Sequence, residues 1–193
     1  VYVFINLDET SISSVTTSGR GLVAIPKIKR DCGWTKPLDR TDRTNVKTSL
    51  MAAVCDCPKL QPFLPQVILP KYTKRITPPP RILNAYANTG GPFEYWHRST
   101  GWPDCQSMIR WATRLRSVVK SFNPDVWIIL MMDCSYCHLS IKTIRHLRRL
   151  GILVVIIPAK LTWLVQLLDV YVFSELKSRM RAEHSVHRLT RPR

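Results

Sequence analysis

The chain has 193 residues, 45% of them hydrophobic, and carries 29 Lys and Arg against 13 Asp and Glu, for a formal net charge of +16. That length can bury one substantial core, so one domain is the expectation, and the composition excludes disorder throughout. The longest apolar runs, 126–132 and 152–157, fall far short of the roughly 20 residues a membrane helix requires. So basic a balance favours a polyanionic partner, held through phosphates in a salt-sensitive way.

Residues 1–7 read as a buried central strand rather than a signal peptide, since they have no basic leader or small-residue cleavage site and Asp8-Glu9 follows at once. With no initiator Met before it, this strand suggests a fragment. Residues 12–23 are expected to hold a second strand pairing with the first. A basic, Pro-containing loop over 26–43 leads to a third strand at 46–54, giving an antiparallel meander. Residues 58–101, with Pro78-Pro-Pro80 and Gly90-Gly-Pro92, read as an irregular insertion carrying at most a short strand at 66–69.

Helical periodicity starts after Pro103-Asp104, with Asp104 as N-cap and Met108, Ala112, Leu115, Val119 and Phe122 on one face. The apolar run 126–132 reads as a strand buried on both faces. Ser140 is placed to cap a helix with Ile141, Ile144, Leu147 and Leu150 inward and Lys142, Arg145, Arg148 and Arg149 outward, ended by Gly151. Another buried strand follows at 152–157, then an amphipathic helix over 164–181 and a basic, disordered tail over 184–193.

Acids are scarce, yet three aspartates adjoin segments that read as buried: Asp8, Asp133 and Asp169. Strand ends are where a rigid scaffold presents chemistry. Hard divalent cations are the reason to gather such groups, because Mg²⁺ prefers carboxylate oxygen and keeps waters that a substrate phosphate can displace. Three such acids, if the fold brings them together, could serve two-metal phosphoryl transfer.

The residues around these aspartates form three motifs: Asn6-Leu-Asp-Glu-Thr10; Met132-Asp-Cys-Ser-Tyr-Cys-His138; and Leu161-Thr162 followed by Gln166-Leu-Leu-Asp169. Together they resemble the catalytic core of the pogo branch of the mariner-type DDE transposases, and thirty-five residues between Asp133 and Asp169 suit that family's spacing. Leu167 stands where the family usually has Pro after the Gln.

The resemblance implies an α/β, RNase H-like fold, a mixed central sheet flanked by helices, with 1–183 as catalytic domain and the family's separate N-terminal DNA-binding domain absent. It implies an enzyme that cuts DNA and joins the freed end to a target, with Mg²⁺ or Mn²⁺ on Asp8, Asp133 and Asp169. DNA is the expected partner, a homodimer at DNA ends is possible, no membrane is involved, and the nucleus is the expected compartment. The alternative is a domesticated, non-catalytic derivative that serves DNA binding or dimerisation; a general RNase H-like nuclease acting on RNA fits the third motif less well.

Other groups have competing readings. Glu9 adjoins Asp8 and, in a strand, points to the opposite face, so it is expected to be structural. Glu175, nearly two helical turns beyond Asp169, is the fallback third acid. His138 either orients the site or a phosphate, or makes a helix-start hydrogen bond. Cys134-Ser-Tyr-Cys137-His138 spells a haem-attachment signature without the export signal that chemistry needs, and Cys55, Cys57, Cys134 and Cys137 could in principle hold zinc. Small buried or turn cysteines in a reducing compartment are the preferred reading. Tyr95, Trp96 and Trp102 near His97, Arg98 and Arg110 could stack on unpaired bases, or Trp102 above all could pack the insertion onto the core.

Overall fold

A computed structural model describes residues 1–13, 47–70, 93–96 and 100–190, without the side chains of 13, 47, 163 and 184–190. Among the described residues, six strands form one sheet: β1 (Tyr2–Ser13), β2 (Lys47–Cys55), β3 (Gln66–Pro70), β4 (Phe93–Tyr95), β5 (Trp127–Asp133) and β6 (Ile152–Ile157), in the order β4-β3-β2-β1-β5-β6. Strands β1, β2 and β3 are an antiparallel meander, while β5 joins β1 in parallel and β6 joins β5 in parallel. This is the expected RNase H-like mixed sheet.

The helices are α1 (Cys105–Phe122), α2 (Tyr136–Leu139), α3 (Ile141–Arg149), α4 (Thr162–Val165) and α5 (Phe173–Thr190), with a π turn at Leu168–Val172 before α5. Helix α1 starts where Asp104 Oδ1 accepts from Ser107 N at 2.9 Å. Its Met108, Trp111, Ala112, Leu115 and Val119, spaced three and four apart, are buried against Val3, Ile5, Leu7, Ile128, Leu130 and Met132. Trp111 also donates Nε1–H to the Pro65 carbonyl at 3.0 Å, tying α1 to the segment before β3. On the opposite sheet face, Leu168 and Phe173 pack on Leu50 and Ala52. Helices thus cover both faces, with the third motif on the second.

Several expectations change. The meander partner of β1 is the predicted third strand, β2; of the predicted second strand, only Ile12 and Ser13 are described, as the end of β1, and 14–23 lies outside the described residues. The short strand predicted at 66–69 is β3, and β4 pairs with it within the predicted irregular insertion. Strands β5 and β6 are not buried on both faces: Ile128, Leu130 and Met132 are buried, but Trp127, Leu153 and Val155 are exposed, because the π turn and the start of α5 pack on β1 and β2 rather than on this end of the sheet. Phe122 and Ile141, predicted inward, are exposed, while Thr143 is buried and donates to the Cys137 carbonyl at 2.7 Å. Gly151 does end α3, at φ 68, a left-handed geometry that disfavours other residues.

The predicted final helix over 164–181 is broken. Helix α4 ends at Val165, Gln166 is extended (φ −78, ψ 95), and Asp169 lies in the π turn rather than in a regular helix. Beyond it α5 continues to Thr190, so the predicted disordered tail is helical over 184–190. No helix among the described residues is long and apolar enough to cross a membrane.

Candidate active site

Asp8 lies inside β1, opposite Ala52 of β2, rather than at the strand's end. The parallel pairing with β5 stops at Asn6 and Met131, so Asp8 sits just beyond the last β5 partner, where the sheet opens. Alternation puts Asp8 and Asp133 on one face, shared with Leu168 and Phe173, and Glu9 on the other.

Asp8 is 5% exposed. Its Oδ1 accepts from Glu9 N at 2.8 Å, whereas its Oδ2 is buried without a hydrogen-bond partner. Burial and then the charge of Asp169 push this carboxyl up from 3.8 to about 7, with the Glu9 N–H and the nearby Gln166 amide opposing. One Gln166 Nε2–H donates to the Leu7 carbonyl at 3.1 Å, and no donor among the described residues lies within hydrogen-bond range of Asp8 Oδ2.

That bond, together with Leu168 N donating to Asn6 Oδ1 at 3.3 Å, docks the third motif on β1. The π turn then carries exposed Asp169 close enough to bear on Asp8, anchored by the buried Leu168 and Phe173 on either side. Leu167 does not disturb this path. Its φ of −56 lies in the range proline imposes, and the extended Gln166 before it has the conformation that precedes proline.

Asp133 ends β5. Its Oδ1 accepts from Ser135 N at 3.1 Å and pairs with His138 Nδ1 at 2.6 Å. Nε2 of the same fully buried ring meets Glu9 Oε1 at 2.9 Å. Burial disfavours the imidazolium, but hydrogen bonds to Asp133, Cys137 and Glu9 outweigh it and push His138 up to about 12, so the ring donates from both nitrogens. The His138 bond, helped by Ser135, holds Asp133 below its ordinary value against the opposing effect of burial.

Glu9 thus faces away from Asp8, as expected, yet is joined to Asp133 through His138. That link spans 129 residues of sequence and left no periodic signal. Asn6 and Gln166 were also missed as docking groups, although both lie inside the quoted motifs.

The three aspartates do not draw together into a closed ligand set. Among the described residues, the donors lying within 4.8 Å of one another are those of Glu9, Cys137 and His138. Glu175, the fallback acid, is exposed and paired with Arg179 at 2.7 Å. Cys55, Cys57, Cys105, Cys134 and Cys137 are free thiols, and the four-cysteine zinc set is not assembled among the described residues. Trp96 rather than Trp102 packs on the core, with the Arg110 guanidinium 4.2 Å from its ring centroid, while Trp102 is exposed. His97 and Arg98 lie outside the described residues.

A sequence profile described as DDE superfamily endonuclease matches residues 59–192. The chain belongs to that family. The matched stretch of this DDE superfamily member contains Asp133 and Asp169, whereas Asp8 lies ahead of it. No curated protein sequence matches. Among solved structures, the fold is similar to a Mos1 transposase paired-end complex with left transposon end, at 12% identity, TM-score 0.55 and 92% of this chain. It is also similar to a Mos1 mariner paired-end complex with Mn, at 14% identity, TM-score 0.56 and 92% of this chain. At such identities the likeness is one of fold. The chain spans 41% and 42% of those two chains.

Proposed function

We propose that this DDE domain is the catalytic core of a pogo-like transposase that cuts DNA strands and transfers the freed end with the help of Mg²⁺ or Mn²⁺ on Asp8, Asp133 and Asp169. The observation that carries this reading is Asp8 Oδ2, a buried carboxylate oxygen with no partner, beside a second carboxylate and under so basic a chain. An unpaired buried oxygen is costly to keep, and a cation is the partner that satisfies it and offsets the repulsion from Asp169. The donor set fits a hard divalent ion, since in both strand aspartates the hydrogen bonds fall on Oδ1 and leave Oδ2 to coordinate.

When bound, the cation supplies Lewis-acid activation of the attacking oxygen and stabilisation of the leaving oxygen. The protein's part is positional. Strands β1 and β5 fix two carboxylates, and the Asn6 and Gln166 hydrogen bonds fix the turn that brings the third. Basic residues hold the DNA backbone without reading its sequence. Action in the nucleus, with a second copy at DNA ends, belongs to the same reading; DNA as the partner is supported by the transposon-end complex that shares the fold.

The test is strand cleavage of a panel of duplexes by the purified chain with Mg²⁺ or Mn²⁺. Cleavage should stop with EDTA and in each of Asp8→Asn, Asp133→Asn and Asp169→Asn. Cutting that survives all three substitutions would reject the assignment.

A further inference from the structure

We propose that His138 is a positioning residue: it clamps Asp133 Oδ1 through Nδ1, is itself held by Glu9 through Nε2, and so fixes Asp133 with Oδ2 turned to the cation. This inference rests on the reading of Asp133 as a metal ligand. The geometry is that of an imidazole bridging two carboxylates, 2.6 Å from one and 2.9 Å from the other, with the ring fully buried.

The ring has little freedom. Helix α2 is pinned where Thr143 Oγ1 donates to the Cys137 carbonyl, and His138 N donates to the Ser135 carbonyl at 3.1 Å. Asp133 is the last residue of β5, its backbone paired with Ile157 of β6, and the turn to Ser135 and the His138 ring set the orientation of its side chain. Glu9 gains a purpose on the face away from Asp8. Adjacent residues of β1 serve two sides of one site, Asp8 directly and Glu9 through the ring. Groups that orient a metal ligand typically change metal affinity by about 10–100-fold when removed.

Two half-replacements separate positioning from packing. Asparagine places an amide N–H near the Nδ1 position and can still reach Asp133, whereas glutamine places one near Nε2 and reaches only Glu9. Mn²⁺ affinity is read by electron paramagnetic resonance, with Asp8→Asn as the control that reports the aspartate site itself. His138→Gln should weaken Mn²⁺ about 10-fold or more and His138→Asn by much less, although both lose similar packing and should melt at similar temperatures. Cys137→Ser, which keeps a hydrogen-bonding group beside the ring, should change Mn²⁺ affinity by much less than His138→Gln does.

In the metal-free chain, the His138 Nδ1–H should give a strongly downfield proton resonance that Asp133→Asn removes and Glu9→Gln shifts. Equal Mn²⁺ affinity in both His138 variants, in a background where Asp8→Asn abolishes binding, would overturn the positioning role and leave the site intact. Loss of Mn²⁺ in Cys137→Ser would overturn it too, by placing the ion on the Glu9, Cys137 and His138 donors. An Asp8→Asn protein that binds Mn²⁺ as wild type does would instead count against the aspartate site, and the proton resonance would still decide whether the clamp exists.

Discussion

Replacing Asp8 by Asn should stabilise the metal-free protein at pH 8 and do so by clearly less at pH 5. Burial and Asp169 raise the folded carboxyl from 3.8 to about 7, so between those values the native state holds a proton that the unfolded chain gives up. Wild-type stability therefore falls as the pH rises through that window. A shift of about 3 units at about 1.36 kcal/mol each sets a ceiling of about 4 kcal/mol. Asp169 is exposed and its charge is screened by water, so about half that ceiling is the expected gain. For a chain of this size, about 2 kcal/mol corresponds to a melting point higher by about 4–8 °C. The new amide has a ready acceptor in Gln166 Oε1, which is buried and unpartnered.

The assay is urea and thermal denaturation of both proteins at pH 5 and pH 8 in EDTA, repeated with Mg²⁺. With the ion at about 100 times its dissociation constant, wild type should gain about 2.7 kcal/mol and the variant little. A variant destabilised equally at both pH values would refute the reasoning, since it would make Asp8 a structural acceptor rather than a strained ligand.

Leu167→Pro should be neutral or stabilising by up to about 1 kcal/mol, because the backbone at 166–167 already has the dihedrals proline selects; a lower urea midpoint would contradict this. Glu175→Gln should cost about 0.5 kcal/mol or less, as expected of an exposed i,i+4 pair with Arg179, and leave Mn²⁺ affinity as it was; loss of binding would make Glu175 the third ligand. Binding to unrelated duplexes should weaken steeply and alike as salt rises, as read by mobility-shift titration; selective binding that survives salt would reveal a base-reading element.

What the sequence made legible follows periodicity. Helix α1 with its Asp104 cap, α3 with Ser140 and Gly151, and strands β1, β2, β5 and β6 all carry patterns longer than a few residues. Strand β4 has three residues, too few for any pattern, and exists because β3 offers it an edge. Apolar runs at β5 and β6 imitate strands covered on both sides, but coverage depends on where α5 lies, which no local pattern encodes. In the candidate site, the three aspartates stood out because acids are rare beside apolar runs. The break at Gln166 was not, since its side chain leaves the helical path to bond the backbone of a strand 159 positions away. Glu9 was likewise read correctly in its direction and missed in its role, because His138 approaches it from another motif.

The central claim, that Asp8, Asp133 and Asp169 share a divalent cation site, is tested most directly by letting Fe²⁺ occupy it. With ascorbate and peroxide, bound Fe²⁺ generates radicals that cut the polypeptide beside its ligands, and the fragments are mapped by mass spectrometry. Cuts clustered near residues 8, 133 and 169, suppressed by Mg²⁺ and lost in Asp8→Asn, are the predicted result. Cuts confined to the neighbourhood of Glu9 and Cys137-His138, or unaffected by Mg²⁺, would contradict the account.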